Sequence, residues 1–364
     1  MSTELLAAAA LAASGQGQPV TARIEGVGAF TARGPDAGSF LHGQLAADVQ
    51  GLKVGHAVRS LLLNHRGHAL ADAMVARDPG EWLVVVDDDM ADWVGKTLAE
   101  HIIFDDVTLE RVQAAATVTL QGKVAVAVLA AAVAAPIAAP TRAEDDLESP
   151  RDGGAFWRGR HLTSGLDLVV YPRRRCEAGG YDLTLLGEDR DAVDAAAASL
   201  LSELEAAGAA PVTAAAIDAA RIAAAITTAG RDAGVGVLPQ EAGLTAGLSY
   251  RKGCYLGQEV MARIEARGNL KRGLATVEVV TPSAAAAALL APYTTVGAVR
   301  GSVQAEAGLR DIELAGRKVG VLGTAASMPD GRVLALAVLR RDLAVGADLT
   351  AGGLHLRVAK QASD

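Results

Sequence analysis

Cysteine is nearly absent: the chain holds only Cys176 and Cys254. Two thiols exclude a disulfide scaffold, and one chain cannot supply four thiolates to a structural zinc or an iron–sulfur cluster. Lysine is also scarce. Seven of the 34 Lys and Arg are Lys, and the 34 cations face 42 Asp and Glu, for a net charge of −8. That balance argues against a protein that coats nucleic acid or is drawn to an anionic membrane. The longest apolar run, Val124–Pro140, is mostly Ala and is broken by Pro136. It is short for a membrane span and poor in Leu, Ile and Phe. The start, M-S-T-E-L-L-A-A-A-A, places Glu4 where a secretory signal would carry Lys or Arg. These features predict a soluble, cytoplasmic chain with no direct nucleic-acid partner and no membrane partner. The abundant Ala and the 40 Gly fit codon bias from a GC-rich genome and carry no functional weight.

What is present is ordinary globular material: 364 residues, 51% apolar and 21% charged, enough for two or three domains. Ala57–Leu63 and His68–Ala76 read as strands around the turn Asn64-His65-Arg66-Gly67. Asp78-Pro79-Gly80 turns the chain into a third strand with Trp82, Val84 and Val86 alternating. Asp87–Asp89 offers an N-cap for a helix carrying Met90, Trp93, Val94, Thr97, Leu98 and His101. The pattern restarts with a strand over Thr117–Gln121 and an Ala-rich helix to about Ala135. Pro136–Gly154, with its acidic cluster at 144–146, reads as a surface loop. Strands over Gly165–Tyr171 and Tyr181–Leu186 precede a long helix from Glu188 to about Ala207, ended by Gly208 and Pro211. A further helix covers about Thr213–Ala225. After Lys271, short apolar runs between Gly and Pro predict a small all-β unit, plausibly a barrel. No fixed-period repeat occurs.

Two glycine motifs lead nowhere. Gly95-Lys96-Thr97 has Met90 where a phosphate loop needs its first Gly, and it lies inside a helix. Gly234-Val235-Gly236 lacks the third Gly and the strand of a dinucleotide fingerprint. His65 and His68 flank a hairpin turn, with His42 and His56 upstream, and read as solvated turn histidines rather than metal ligands. The strong signal is Lys252-Gly253-Cys254-Tyr255-Leu256-Gly257-Gln258-Glu259. A thiol stands beside Arg251 and Lys252, and nearby positive charge favours thiolate. Glycines bracket the Cys and Tyr and allow a tight backbone near a ligand. The competing reading makes Cys254 one more buried small hydrophobe.

The string K-G-C-Y-L-G-Q-E, followed by Arg263, Gly268 and Lys271-Arg272, resembles the signature of the YgfZ-type folate-binding proteins, relatives of the glycine cleavage T-protein (aminomethyltransferase). Leu238-Pro239-Gln240-Glu241-Ala242-Gly243-Leu244, the stretch Phe40–Val49 and Arg66–Asp72 are similar to further family motifs, so the resemblance covers essentially the whole chain. It implies an α+β fold in a three-part cloverleaf: two α+β portions over residues 1–270, split near 115, and a C-terminal β-barrel over 271–364, around a central opening for tetrahydrofolate or a one-carbon derivative. It also implies iron–sulfur client or assembly proteins as partners, including tRNA-modifying enzymes. The motif cysteine maps onto Cys254, and the acidic residue beside the folate nitrogens onto Asp72, with Asp182 as a second acidic candidate. Lys252, Gly253, Tyr255, Gly257, Gln258 and Glu259 complete the motif. Arg221, Arg263 and Arg272 are candidates for the carboxylate tail, since a pterin needs a buried acceptor and its tail needs cations. The other readings are a true aminomethyltransferase and a ligand-free scaffold. The chain departs from the family at Ala223, where a Glu is expected, and at Ala225, where a Gly is expected. A lost ligand contact at Ala223 would weaken folate binding; if the Glu only supports the helix, Ala changes little.

Overall fold

The computed structural model describes residues 18–24, 26–87, 90–133, 153–268, 270–280 and 311–361. The amino-terminal apolar run and most of the expected loop after Pro136 lie outside the described residues. The chain separates into two compact units, one drawn from 1–60, 73–220 and 246–255, the other from 61–72, 221–245 and 256–364. No helix among the described residues is long and apolar enough to cross a membrane.

The first unit is built on strands that alternate. β1 (Val20–Ile24), β7 (Ala114–Gln121), β9 (Trp157–Arg160), β10 (Asp167–Pro172), β11 (Gly180–Gly187) and β12 (Ala210–Pro211) form a six-stranded sheet in the order β12-β1-β7-β11-β10-β9. Because side chains alternate faces along a strand, Ala116, Val118 and Leu120 of β7 join Leu183 and Leu185 of β11 on one side. They pack against α3 (Ala125–Val133) and α4 (Arg190–Ala206). The Asp189 side chain caps α4 by accepting from the Ala192 N–H at 2.8 Å. Val193, Ala196, Ala197, Leu200 and Leu204 then fall on its buried stripe. The opposite face begins apolar, with Ala115, Val169 and Leu186 against Val27, Ala29, Met74, Leu83 and Val85. It turns polar further along, at Thr117, Thr119, Gln121, Asp182 and Thr184, all buried.

The second sheet runs β6-β2-β5-β4-β3-β8, from β2 (Val27–Arg33), β3 (His56–Leu63), β4 (Ala69–Asp78), β5 (Glu81–Asp87), β6 (Thr108–Arg111) and β8 (Gly153–Ala155). The chain passes from one unit to the other within β3 and within β4. Helix α1 (Ala37–Gln44) follows β2, and α2 (Ala91–Ala99) follows β5. The N-cap of α2 is Met90, with no side-chain cap, not the acidic run expected from the sequence, of which residues 88 and 89 lie outside the described residues.

In the second unit, β13 (Arg272–Val279), β14 (Asp311–Leu314), β15 (Arg317–Ser327), β16 (Val333–Arg340), β17 (Asp348–Ala351) and β18 (Leu354–Gln361) close into the barrel that the Gly-punctuated apolar runs predict, in the order β13-β16-β15-β14-β17-β18. Val277, Ile312, Leu322, Leu339, Leu349, Leu356 and Val358 fill it. Closure leaves no unpaired sheet edge. The helix expected to reach Ala225 is shorter: α5 spans Ala214–Ala223. Ala225 stands at φ +52°, a left-handed conformation that costs an L-residue about 1–2 kcal/mol. The departure at Ala225 therefore shows as backbone strain just after the helix, while Ala223 remains inside it.

Candidate functional site

The K-G-C segment in the first unit is anchored by a buried cation. Helix α1 leaves its last carbonyls without partners in the helix. The Lys252 ammonium donates to the His42, Leu45 and Ala47 carbonyls, the last at 2.9 Å. Lysine at a helix C-terminus also meets the negative end of the helix dipole. The Tyr255 ring centroid lies 4.7 Å from the same nitrogen. Burial pushes the Lys252 pKa down to about 8, against a smaller upward pull from Asp48. The sequence placed this charge beside the thiol; the structure turns it onto the carbonyl end of α1. Lys252 and Tyr255 are buried, while Cys254 between them is exposed. The reading of Cys254 as a buried hydrophobe therefore fails. Cys176 is the buried one, and burial pushes its thiol pKa up.

Asp182 lies on the polar stretch of the first sheet and is held by Arg175. The guanidinium donates to both carboxylate oxygens, at 3.0 Å from Nε and 2.7 Å from Nη2. The Arg175 N–H donates to Gln121 Oε1, whose amide nitrogen donates to the Thr119 hydroxyl and the Arg173 carbonyl. A charged pair this deep is stable only with such supporting bonds.

In the second unit, Asp72 on β4 is 2% exposed and accepts from the Ala229 N–H at 2.9 Å. This is the buried carboxylate the pattern predicts, not a solvent-facing hairpin Asp. Arg221 is buried against Asp232, Nη1 to Oδ2 at 2.6 Å, and donates to the Ile226 carbonyl at 2.7 Å and the Thr324 hydroxyl at 2.5 Å. Burial alone would raise the Asp232 pKa, but the Arg221 charge and the Thr324 bonds bring it below the usual carboxylate value. Arg272 likewise grips Glu241 of the L-P-Q-E-A-G-L motif with two bonds, at 2.8 and 2.6 Å.

Two motifs distant in sequence pack through their glycines. Asn64 Oδ1 accepts from the N–H groups of Arg66 and His68, closing an Asx turn. Gly67 follows at φ +75°, and a Cβ there would stand 2.7 Å from Met261 Cε. Gly257 caps helix α6 (Gln258–Arg267) at φ +83°. Its Cβ would stand 2.7 Å from the Asn64 carbonyl oxygen and 3.1 Å from Gly67 Cα. Gly253 is different, since its Cβ would meet nothing closer than His42 Nε2 at 4.0 Å. On α6, Gln258 is half-buried, whereas Glu259 and Arg263 are exposed.

Cys254, Lys252, Gly253, Tyr255 and Asp182 fall within the first unit, and Asp72, Arg221, Gly257, Gln258, Glu259 and Arg263 within the second. Sequence reasoning missed Arg175 and Asp232, the ion partners of two candidates. Nothing local in the sequence marks these partners; only the alternation of polar residues at 117, 119 and 121 hinted at a polar face. Among the described residues, no three His, Cys, Asp or Glu gather as a metal site.

The GCVT N-terminal domain family model matches residues 23–141. No curated protein matches the chain. The crystal structure of glycine cleavage system aminomethyltransferase T from Bartonella henselae is similar at a TM-score of 0.66 and 19% identity, over 97% of this chain and 88% of that one. A heterotetrameric sarcosine oxidase from Corynebacterium sp. U-96 aligns over 56% of this chain and 96% of that one at 14% identity, with a TM-score of only 0.31. The first likeness shows an aminomethyltransferase-type fold along nearly the whole chain.

Proposed function

We propose that this chain is a tetrahydrofolate-binding accessory protein for the assembly or repair of iron–sulfur enzymes, including those that modify tRNA. The observation that carries the reading is the build of K-G-C-Y-L-G-Q-E on an aminomethyltransferase-type fold. Lys252, Tyr255 and the close-packed Gly257 fix its backbone, and the one side chain left outward between the first two is the Cys254 thiol. An exposed thiol on an anchored loop suits transient chemistry with an external partner.

The residues present fit a reduced folate. A pterin offers several donors, and Asp72 is a buried carboxylate able to accept them while the Ala229 N–H helps fix its orientation. The tail carboxylates need cations, and Arg263 is exposed on α6, with Arg66 exposed on the Asx turn. Gln258 and Glu259 add an amide and a carboxylate in the first turn of α6. When bound, the folate would supply a carrier for a one-carbon unit. Asp182 and Arg221 are not ligand contacts in this reading, because each is engaged by a buried ion partner.

Cells lacking the chain are the test. The wild type restores iron–sulfur tRNA-modifying activity, and Cys254→Ser and Cys254→Ala do not. Full restoration by both variants would reduce the motif to a folate-shaping loop. The fold itself favours a second reading, an aminomethyltransferase acting on a lipoyl-carried group. One-carbon transfer in a glycine cleavage assay, undiminished in Cys254→Ser, would select it. A ligand-free scaffold has only Ala223 in its favour, and Ala223 is exposed at the end of α5.

A further inference from the structure

We propose that the first unit carries a second, cationic site, in which Arg111 and Arg190 hold the phosphate group of a small phosphate monoester. The inference goes beyond the functional reading above and depends on neither Cys254 nor folate.

The site is a cavity of about 350 Å³, at the small end of the range for ligand pockets. Three guanidiniums line it: Arg23 from β1, Arg111 from the last position of β6 and Arg190 from the first position of α4. Asp92 is the carboxylate in its wall among the described residues. The adjoining cavity shares Arg111 and is the contrast. There Arg33, Arg111 and Arg158 stand with Glu110, Asp167 and Glu188, so its charges balance.

Arg111 and Arg190 are fixed by bonds that leave donors over. Arg111 Nε donates to Asp92 Oδ1 at 2.7 Å, and Nη1 donates to the Ala29 and Val112 carbonyls at 2.7 and 3.1 Å. Arg190 Nη1 donates to the Ala115 carbonyl at 2.8 Å. Its nearest carboxylate oxygen, Asp194 Oδ1, is 3.6 Å away and already accepts from Arg23 Nη2 at 2.6 Å. Among the described residues, Arg111 Nη2 and Arg190 Nε and Nη2 therefore meet no acceptor. Holding a planar guanidinium in place beforehand reduces what binding must spend on ordering it. Gly28 is part of the build. A Cβ there would stand 2.8 Å from Arg111 Nη2 and 2.5 Å from Ala91 Cβ, so the missing side chain is what lets the guanidinium lie against β2. The end of α4 is not itself the site, since Asp189 already caps it.

The spare donors indicate the ligand class. The Nε–Nη2 edge of Arg190 is a two-pronged fork, which fills both oxygens of a carboxylate by itself. Arg111 Nη2 then calls for a third oxygen. A phosphate monoester supplies three acceptor oxygens and close to two negative charges. Val27, Ala115 and Ala116 line the same cavity and are buried, which gives the carbon part of a monoester an apolar surface.

The test is calorimetric titration of the full chain with glycerol phosphate at fixed ionic strength, with succinate and sodium chloride as comparison anions. We expect saturable binding of glycerol phosphate that weakens about tenfold or more in Arg190→Gln, the effect of losing charge-assisted hydrogen bonds. The Arg190 side chain is 51% exposed, so this variant should fold, and urea unfolding checks that it does. Arg190→Lys keeps the charge without the fork and should bind at an intermediate strength. Arg33→Gln, in the balanced cavity, should bind as the wild type does. NMR of the arginine Nε–H groups should show the Arg190 signal moving as glycerol phosphate is added. Absence of saturable binding, succinate or chloride binding as tightly as glycerol phosphate, unchanged affinity in Arg190→Gln, or an equal loss in Arg33→Gln would each overturn the proposal.

Discussion

Replacing Gly257 by Ala tests whether the second glycine of the motif serves packing, and the structure sets the size of the effect. Its φ of +83° puts an added Cβ in a region that costs an L-residue about 1–2 kcal/mol. The Cβ would also lie 2.7 Å from the Asn64 carbonyl and 3.1 Å from Gly67 Cα. Both are backbone atoms in a bonded turn, so relief requires moving the turn, at about 1–3 kcal/mol for overpacking. Against this stands the reduced entropy of the unfolded chain, about 0.4–1 kcal/mol. The net expectation is a loss of about 2–4 kcal/mol. Gly253→Ala is the internal control. Its Cβ has 4.0 Å of clearance, so its stability should stay within about 0.5 kcal/mol of the wild type. Urea unfolding followed by circular dichroism reads both. Equal losses, or a neutral Gly257→Ala, would refute the packing argument.

Other consequences follow from single contacts. Asp232→Ala leaves the Arg221 guanidinium buried without its carboxylate and should cost about 3–5 kcal/mol in denaturant unfolding. The pKa of Asp232 is depressed in the folded chain, so its stabilisation is complete above the ordinary value of 3.8 and is lost as pH falls through the lower folded value. Asp232→Asn should flatten that part of the acid-unfolding curve. Lys252 follows the same sign at higher pH, because its folded pKa is also depressed. With its pKa lowered from 10.5 to about 8, the unfolded chain binds the proton more tightly, so its contribution to stability rises between those two pH values, and Lys252→Met should abolish that rise. Ala225→Gly relieves a residue at φ +52° and should stabilise the chain by up to about 1 kcal/mol after the entropy cost of glycine.

Much of the fold was legible where the apolar pattern was long and regular. The hairpin 57–76, the strand through Trp82 and the 17-residue helix α4 all stand within a few residues of expectation. So does the barrel, whose strands announce themselves by Gly-bounded apolar runs. β2, V-G-A-F-T-A-R, was not legible because its glycine and small residues blunt the alternation. Helix α1 is eight residues with Gly43 inside it and gives no strong period. For the candidate residues, the motif singled out positions but not their contacts. The sequence put Lys252 beside the thiol because they are two residues apart. The backbone carbonyls that hold its ammonium belong to residues 42–47, some 200 positions away, where no local pattern could point to them. Asp182 and Arg221 read as ligands for the same reason, since the partners that engage them became visible only in the folded chain.

The most direct measurement is a calorimetric titration of the full chain with tetrahydrofolate, run beside Asp72→Asn. The variant keeps an oxygen for the Ala229 N–H but loses the charged acceptor. The wild type should bind saturably, and binding should weaken at least about tenfold in the variant, the effect of one buried charge-assisted hydrogen bond. Absence of binding by the wild type, or equal affinity in the two proteins, would contradict a folate site at Asp72.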